Sequence, residues 1–468
     1  MTAPDQYRNE HVLVVVLGDV GRSPRMQYHA LSLANQLGLQ VTLLGLGDTP
    51  AMPALATHPR IQIKTLRDFP WSRPSLTSHA WLDTVLLLLF AMCKVLYQTV
   101  QLLATMWSLS GRVRVSPGQS KAPTRWLVMQ TPPALPLLPV AFVLSLLRPS
   151  LRLCVDWHNY AWSILRLRRG TPNWLVQLAR RIEYTCGRWA SAHLCVTHAM
   201  RADLLRQLGS DCDISVLHDR PADAFRELSP PEMHRFLQRL HGRDNGAGEV
   251  YNDVFPMGER PAVTVRTRAT DGKVSTRSEG PFLVVTATSW TDDEDVALLL
   301  HVAQQLDQQM CDKSAEERRL VYILITGKGP NRQDFERQAA SLSLRYVSIR
   351  TVWLAHADYP RLLASCHVGV SLHTSSSGLD LPMKVVDMQG AHLPVCAVEF
   401  PCISELVQHG SNGFIFAPGD AQQLTRQLVQ LMDESLRHSF VQTLRRDDQE
   451  KGRWDANWNA NAARVFHV

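Results

Sequence analysis

Short, largely apolar runs, separated by loops and helical repeats, recur along this chain and restrict its fold more than any other feature. Residues 12–17 are the first such run, and G-D-V-G-R-S-P-R follows it. A strand without polar alternation is covered on both faces, as in a parallel sheet flanked by helices. Ser23 stands where an N-cap is expected and Pro24 at the first helical position. Met26, Ala30, Leu33, Ala34 and Leu37 repeat at helical spacing up to Gly38, and residues 41–46 read as the next strand. Strand, helix and strand in this order make a right-handed parallel βαβ unit.

Residues 126–129, 151–155 and 194–196 continue the series, so the first half reads as doubly wound α/β. Residues 226–280 interrupt it with G-R-D-N-G-A-G-E and T-D-G-K-V-S-T-R-S-E-G, and periodicity fades after Leu240. Such a stretch reads as a linker or flexible insertion. The alternation restarts at 282–287 and runs through 321–326, 347–353, 368–372, 395–398 and 414–416. The predicted architecture is α/β: a Rossmann-like domain at 11–220, a linker at 221–280, a second Rossmann-like domain at 281–425 and a helical tail at 426–468. Trp454 and Trp458 are expected to pack that tail against the body. Two such domains imply a cleft, and open parallel sheets gather ligands at the carboxyl ends of their strands.

A chain of 468 residues is long enough for such domains, and its net charge of +6 is small for that length. Nucleic-acid binders carry denser basic stripes, so no nucleic-acid partner is expected. The nine cysteines are odd in number and include no C-x-x-C pair, which argues against a disulfide framework or a zinc site and for a reducing compartment. The polar start M-T-A-P-D-Q-Y-R-N-E reads as neither a signal peptide nor a membrane anchor. Residues 85–93 are unbroken apolar sequence that continues more sparsely to Trp107, interrupted by Lys94, Gln98 and Gln101. A spanning helix wants about 20 mostly apolar residues, and a central lysine costs roughly 2.5–3.5 kcal/mol. A helix lying in the membrane interface, anchored by Trp81 and Trp107, fits better than a spanning one. A second run at 132–147 has four prolines in its first half. The competing reading of both runs is as core helices.

The strongest site signal is L-H-T-S-S-S-G-L-D-L-P-M-K-V-V-D-M from Leu372. A buried strand at 368–372 leads into a small-residue loop at 374–378, and Pro382 stands near a helix start. Loop amides, with Ser375, Ser376, Ser377 and Gly378, and the positive end of a helix together suit a phosphate. Lys384 adds a cation and Asp387 an acceptor for ribose hydroxyls, so the segment suits a nucleoside diphosphate; an ordinary strand–loop–helix corner is the alternative. Gly327-Lys328-Gly329-Pro330 also follows a strand, with Lys328 as a phosphate cation but without the Walker layout. Ser289 and Trp290 follow another strand, at 282–287, and are expected to face the ligand. T-D-D-E from Thr291 reads as a capping box opening a helix, its acids serving the dipole and solvation.

In the first half, the turn of Gly18, Asp19, Val20 and Gly21 is expected to approach a phosphorylated substrate, with Arg22 and Arg25 adding charge. The complete G-x-G-x-x-G is absent. V-D-W-H-N-Y at 155–160 sets Asp156, His158 and Asn159 at a strand end. Arg166, Arg168, Arg169, Arg180 and Arg181 alternate with Trp162 and Trp174, either as a solvated helix face or for anionic head groups or a diphosphate. Asp211-Cys212-Asp213 has no apolar strand before it and reads as a loop. The turn at 410–413 reads as structural. No metal or other cofactor is required, because lysines, arginine and helix dipoles can neutralise a departing diphosphate.

Two Rossmann halves and a G-x-N-G-F turn resemble the GT-B glycosyltransferases. The motifs G-D-V-G-R-S-P-R-M-Q-Y-H-A, D-W-H-N-Y, S-W-T-D-D-E-D, T-G-K-G-P and the Leu372 segment narrow the resemblance to the chitobiosyldiphosphodolichol β-mannosyltransferases. The resemblance implies transfer of mannose from GDP-mannose to dolichol-diphosphate-linked chitobiose, with inversion, at the cytosolic face of the endoplasmic reticulum membrane. It also implies contact with other enzymes of the lipid-linked oligosaccharide pathway. Retaining GT-B relatives carry Glu-x7-Glu where this chain has Leu379 and Asp387, a departure that agrees with inversion. His158 and Asp19 are the expected bases, and Gly18, Gly21, Arg22 and Arg25 are expected to meet the acceptor. Ser289, Lys328, Ser375, Ser376, Ser377, Gly378, Lys384 and Asp387 are expected to hold the donor.

Overall fold

A computed structural model describes residues 10–72, 80–110, 125–167, 170–240, 266–268, 274–276, 280–291 and 294–466. The chain divides into two compact units, one of Met1–His218 with Asp455–Val468 and the other of Asp219–Trp454.

The first unit runs β1 (His11–Asp19), α1 (Pro24–Asn35), β2 (Gln40–Leu46), α2 (Pro53–Ala56), β3 (Ile61–Thr65), α3 (Ala80–Ser110), β4 (Arg125–Thr131), α4 (Leu137–Leu147) and β5 (Leu151–Trp157). It continues through α5 (Ala161–Leu167), α6 (Asn173–Arg188), β6 (Ala192–Cys195), α7 (His198–Leu208) and β7 (Ile214–Val216). The strands form one parallel sheet in the order β3-β2-β1-β4-β5-β6-β7. Val12, Leu13, Val14, Val15 and Val16 are buried in succession, as expected of a strand covered on both sides. Pro24 opens α1 as predicted, but the Ser23 hydroxyl donates to the Asp19 carbonyl (3.0 Å) instead of capping the helix.

The second unit opens with α8 (Pro230–Arg239), β8 (Arg266–Arg268) and β9 (Val274–Thr276). It proceeds through β10 (Phe282–Ala287), α9 (Leu298–Asp312), β11 (Val321–Thr326), α10 (Arg332–Ala340), β12 (Val347–Val352), α11 (Tyr359–Leu363), β13 (Val368–Ser371) and α12 (Met383–Gly390). It ends with β14 (Val395–Val398), β15 (Gly413–Phe416), α13 (Ala421–Gln430) and α14 (Glu434–Lys451). Its sheet is parallel in the order β12-β11-β10-β13-β14-β15.

Two domain boundaries differ from expectation. Residues 219–240 belong to the second unit: a capping box of Ser229 and Glu232 starts α8, and Phe236, Leu237 and Leu240 join the core beside Leu283 and Leu324. The linker also contains the antiparallel pair β8 and β9; its residues 241–265, 269–273 and 277–279 lie outside the described residues. The tail is not one element either, since α13 and α14 build the second unit while α15 (Trp454–Asn461) and α16 (Ala463–Phe466) return to the first, apart from Trp454 itself. Trp458 is fully buried there, its indole donating to His29 of α1 (3.0 Å), and Trp454 is buried as well, in keeping with the expected packing of both.

The helix α3 presents different residues to different surroundings. Leu102 and Met106 are buried, while Leu89, Met92, Leu96, Val100, Leu103 and Trp107 are 37–67 % exposed along one stripe. In an 18-residue apolar window within Leu89–Ser110 only 11 % is buried, so the core-helix reading fails for α3. It holds in part for α4, whose Leu137, Leu138, Val140, Ala141 and Leu144 are buried and whose Val143, Leu146 and Leu147 are bare. The Trp81 side chain lies outside the described residues, as do Arg168 and Arg169.

Candidate active site

In the second sheet the strand order reverses between β10 and β13, and the carboxyl ends of neighbouring strands at such a point are where open α/β sheets take ligands. Three loops meet there. Glu294, after β10, bridges to His373, after β13, and the Trp290 indole Nε1 donates to the carbonyl of Gly327, after β11 (3.1 Å). Gly327 has φ of +130°, and a Cβ there would strike the Thr288 carbonyl; a Cβ on Gly329 would strike that of Ser289. The G-K-G sequence is thus required by the close approach of these loops. Between the two glycines, the exposed Lys328 places its Nζ 3.9 Å from the Trp353 ring centroid.

Glu294 organises this end of the sheet. Its carboxylate accepts from the Thr288 hydroxyl (2.5 Å) and the Ser289 amide (2.9 Å), and the Lys384 ammonium donates to it from the first turn of α12. Burial works to raise the Glu294 pKa, but Lys384 and Thr288 hold it below the usual carboxylate range. The expected capping box is therefore not formed: α9 starts only at Leu298, and Glu294 is a buried ion-pair partner instead of a solvating acid. Asp292 and Asp293 lie outside the described residues. Lys384 is correspondingly no bare cation, though its side chain remains 29 % exposed.

The serine loop also differs from the expected ring of open amides. The Ser377 and Gly378 amides donate to the Ser375 hydroxyl oxygen (3.3 and 2.8 Å), and the Leu379 amide donates to that of Ser377 (3.2 Å). Both hydroxyls in turn donate to the Asp380 carboxylate. Gly378, at φ +74°, makes the turn. Ser376 is half-buried in the same loop. Pro382 is the N-cap residue of α12, as the helix-start reading requires. Asp387 lies one turn into that helix from Lys384; burial, with the Asp219 carboxylate near it, pushes its pKa up to about 7.

In the first unit the equivalent reversal lies between β1 and β4. The turn of Gly18, Asp19, Val20 and Gly21 follows β1 as read, but Asp19 is committed to holding it. Its carboxylate accepts from the Thr49 hydroxyl (2.5 Å), the Thr49 amide (3.2 Å) and the Gly21 amide (3.2 Å), chiefly the first of which lowers its pKa. Asp19 thus holds the turn, and its lowered pKa makes it the weaker of the two expected bases. Arg25 departs from its expected role. It is buried and donates from Nε (2.6 Å) and Nη2 (2.8 Å) to Asp156, whose other partner is His29 Nε2 (3.2 Å). Arg25 thus completes a core ion pair instead of adding bare charge beside the turn. Arg22 is exposed, 3.5 Å from Asp19.

His158 is half-buried directly after β5, where its backbone amide donates to the Thr131 carbonyl (2.9 Å). The buried Asn159 accepts from the Tyr160 amide (2.7 Å) through its own side chain. Beneath this turn lies Glu183 of α6, which accepts from the Thr131 hydroxyl (2.9 Å) and the Ala161 (3.1 Å) and Trp162 (3.3 Å) amides. Burial pushes its pKa up to about 6. Glu183, Glu294 and Thr49 escaped the sequence reading because each acts on a partner far along the chain, such as Lys384, 90 positions from Glu294. Arg166 and Arg180 lie 5.5 and 5.2 Å over the Trp162 ring, and Trp174 is exposed.

Residues 281–434 match the family described as "Glycosyl transferases group 1". The chain is 39 % identical to the "Chitobiosyldiphosphodolichol beta-mannosyltransferase" of Mus musculus over 96 % of this chain and 88 % of that protein. It is 37 % identical to the "UDP-glycosyltransferase TURAN" of Arabidopsis thaliana, over 95 % and 94 %. Among solved structures it is similar to HepE of Anabaena in complex with UDP-glucose, at a TM-score of 0.62 and 16 % identity over 98 % of this chain and 100 % of that one. That likeness is one of fold, the two-domain GT-B architecture.

Proposed function

This chain belongs to the chitobiosyldiphosphodolichol beta-mannosyltransferase family, and from that premise we propose that it transfers the first mannose from GDP-mannose to the 4-hydroxyl of GlcNAc2-diphosphodolichol, with inversion. The reading rests on identity that runs through nearly the whole chain, including both halves that carry the five motifs. The acceptor oxygen forms a bond to the anomeric carbon as the bond from that carbon to the diphosphate breaks. GDP leaves, and the hydroxyl proton passes to a base. His158 is the better candidate for that base, since Asp19 is spent on Thr49 and Gly21. Lys328, Lys384 and the start of α12 supply the positive charge that the leaving diphosphate needs, so no divalent ion is required. Asp387 accepts from the ribose.

The exposed apolar stripe of α3 supports attachment at a membrane surface, and membership of this dolichol-dependent family favours the cytosolic face of the endoplasmic reticulum as that surface. Incubation with GDP-mannose and a phytanyl-linked GlcNAc2 diphosphate tests the whole reading. The expected product carries one mannose that β-mannosidase removes, with activity retained in EDTA. An α-linked product, or none, overturns it. Titration with GDP, UDP and ADP then assigns the base, GDP being expected to bind most tightly.

A further inference from the structure

We propose that a pocket in the first unit, walled by α3 and by the chain that follows β3, receives the acetamido-sugar portion of the acceptor. The pocket has a volume of about 270 Å³ and also touches the ends of β1 and β2. Carboxyl ends of parallel strands are where this class of sheet binds ligands. The volume is close to the lower end of the roughly 300–1,000 Å³ of small-molecule sites, which suits a sugar and not a polyisoprenoid chain.

Its walls match that ligand. Lys94, Gln98 and Gln101, the polar residues that interrupt the apolar run, all line it from α3. They follow at i, i+4 and i+7, so they share one face of the helix. Among the described residues, neither glutamine spends its carboxamide on another protein group. A carboxamide offers two N–H donors and a carbonyl acceptor, the complement of an N-acetyl group and neighbouring hydroxyls. Across the pocket, Phe69 packs edge-on against Trp71 with ring centroids 5.2 Å apart, and against Phe90 at 5.4 Å. That packing steadies Trp71, which is 64 % exposed at the pocket wall. A fixed, open indole face is a stacking surface for the apolar side of a pyranose ring.

The helix ties the pocket to a lipid-linked substrate. At 3.6 residues per turn, the bare stripe of Leu89, Met92, Leu96, Val100, Leu103 and Trp107 lies about half a turn away from Lys94, Gln98 and Gln101. One face of α3 thus meets lipid while the other presents polar groups to a glycan. The polar interruptions that weakened a spanning reading are explained as pocket walls.

This assignment rests on the acceptor named above, and its test separates the two. Gln98→Ala combined with Gln101→Ala, and Trp71→Ala alone, are compared with wild type for acceptor KM, donor KM and saturation-transfer NMR of free chitobiose. The expected result is an acceptor KM raised at least tenfold, a donor KM within twofold, loss of the chitobiose signal, and partial recovery in Trp71→Phe. Wild-type melting temperatures in all variants exclude unfolding; Trp71 is exposed, so its truncation removes no core contact. An acceptor KM within twofold of wild type in both variants overturns the pocket while leaving the transferase reading standing. If wild type forms no mannosylated product, the NMR arm decides alone: chitobiose bound by wild type and lost in the variants supports the pocket, and equal or absent binding refutes it.

Discussion

Asp156 and Glu183 are both buried in the first unit, yet their surroundings leave them with opposite responses to acid. Burial opposes ionisation of Asp156, but the paired Arg25 and the His29 bond outweigh it and hold its pKa far below the usual range. Its stabilisation is therefore present above the ordinary aspartate value of about 3.9 and is lost as pH falls below that. Glu183 is raised from 4.5 to about 6, so the folded state favours its protonated form; stability is greatest below 4.5 and declines as pH rises through about 6. Glu183→Gln should flatten the melting temperature between pH 4.5 and 6, whereas Asp156→Ala should cost about 3–5 kcal/mol at neutral pH by stranding Arg25. Thermal melts across pH check both. At this scale D-W-H-N-Y was legible as a special segment, but the duty of Asp156 was not. Its partner Arg25 is 131 positions away and comes within reach only when β5 and α1 pack.

Elements were legible where burial is complete. Strands β10, β11 and β14 fall where largely apolar runs predicted them, because both faces of each are covered. Edge strand β3, I-Q-I-K-T, alternates with polar residues and has a partner on one side only, so no apolar run announces it. The loop after β10 was misread for a related reason: T-D-D-E matches a helix start locally, while Lys384 on α12 draws Glu294 into the interior. That pairing makes a prediction at the level of α12. Lys384→Ala should lower kcat/KM with GDP-mannose by on the order of 10²–10³ through the lost charge at the diphosphate. It should also destabilise the second unit, since Glu294 is left buried without its cation. Steady-state kinetics and a melt on the same variant check the pair of effects; turnover within a few-fold of wild type refutes the contact. For α3, replacing Met92 and Leu96 by serine should weaken flotation with anionic liposomes while the melt stays within a degree or two, because both side chains are already bare.

For the molecule as a whole, twin α/β halves could be read from the chain, but its path between them could not. Nothing in the sequence of α15 and α16 says which half they complete. Contacts decide it: the Trp458 indole donates to His29 Nδ1 (3.0 Å), which leaves Nε2 as the nitrogen that donates to Asp156. Arg464 adds a bond to the hydroxyl of Ser215 in β7 (2.8 Å). Ending the chain after Trp454 should therefore strip hydrogen-exchange protection from β1, β5 and β7 and leave β10–β15 protected. Equal loss in both sets of strands refutes that division. The same strap bears on biogenesis. As the polypeptide emerges from the ribosome, the segment that locks the earlier-made half is translated only after all of Asp219–Trp454, so the half made second can finish first.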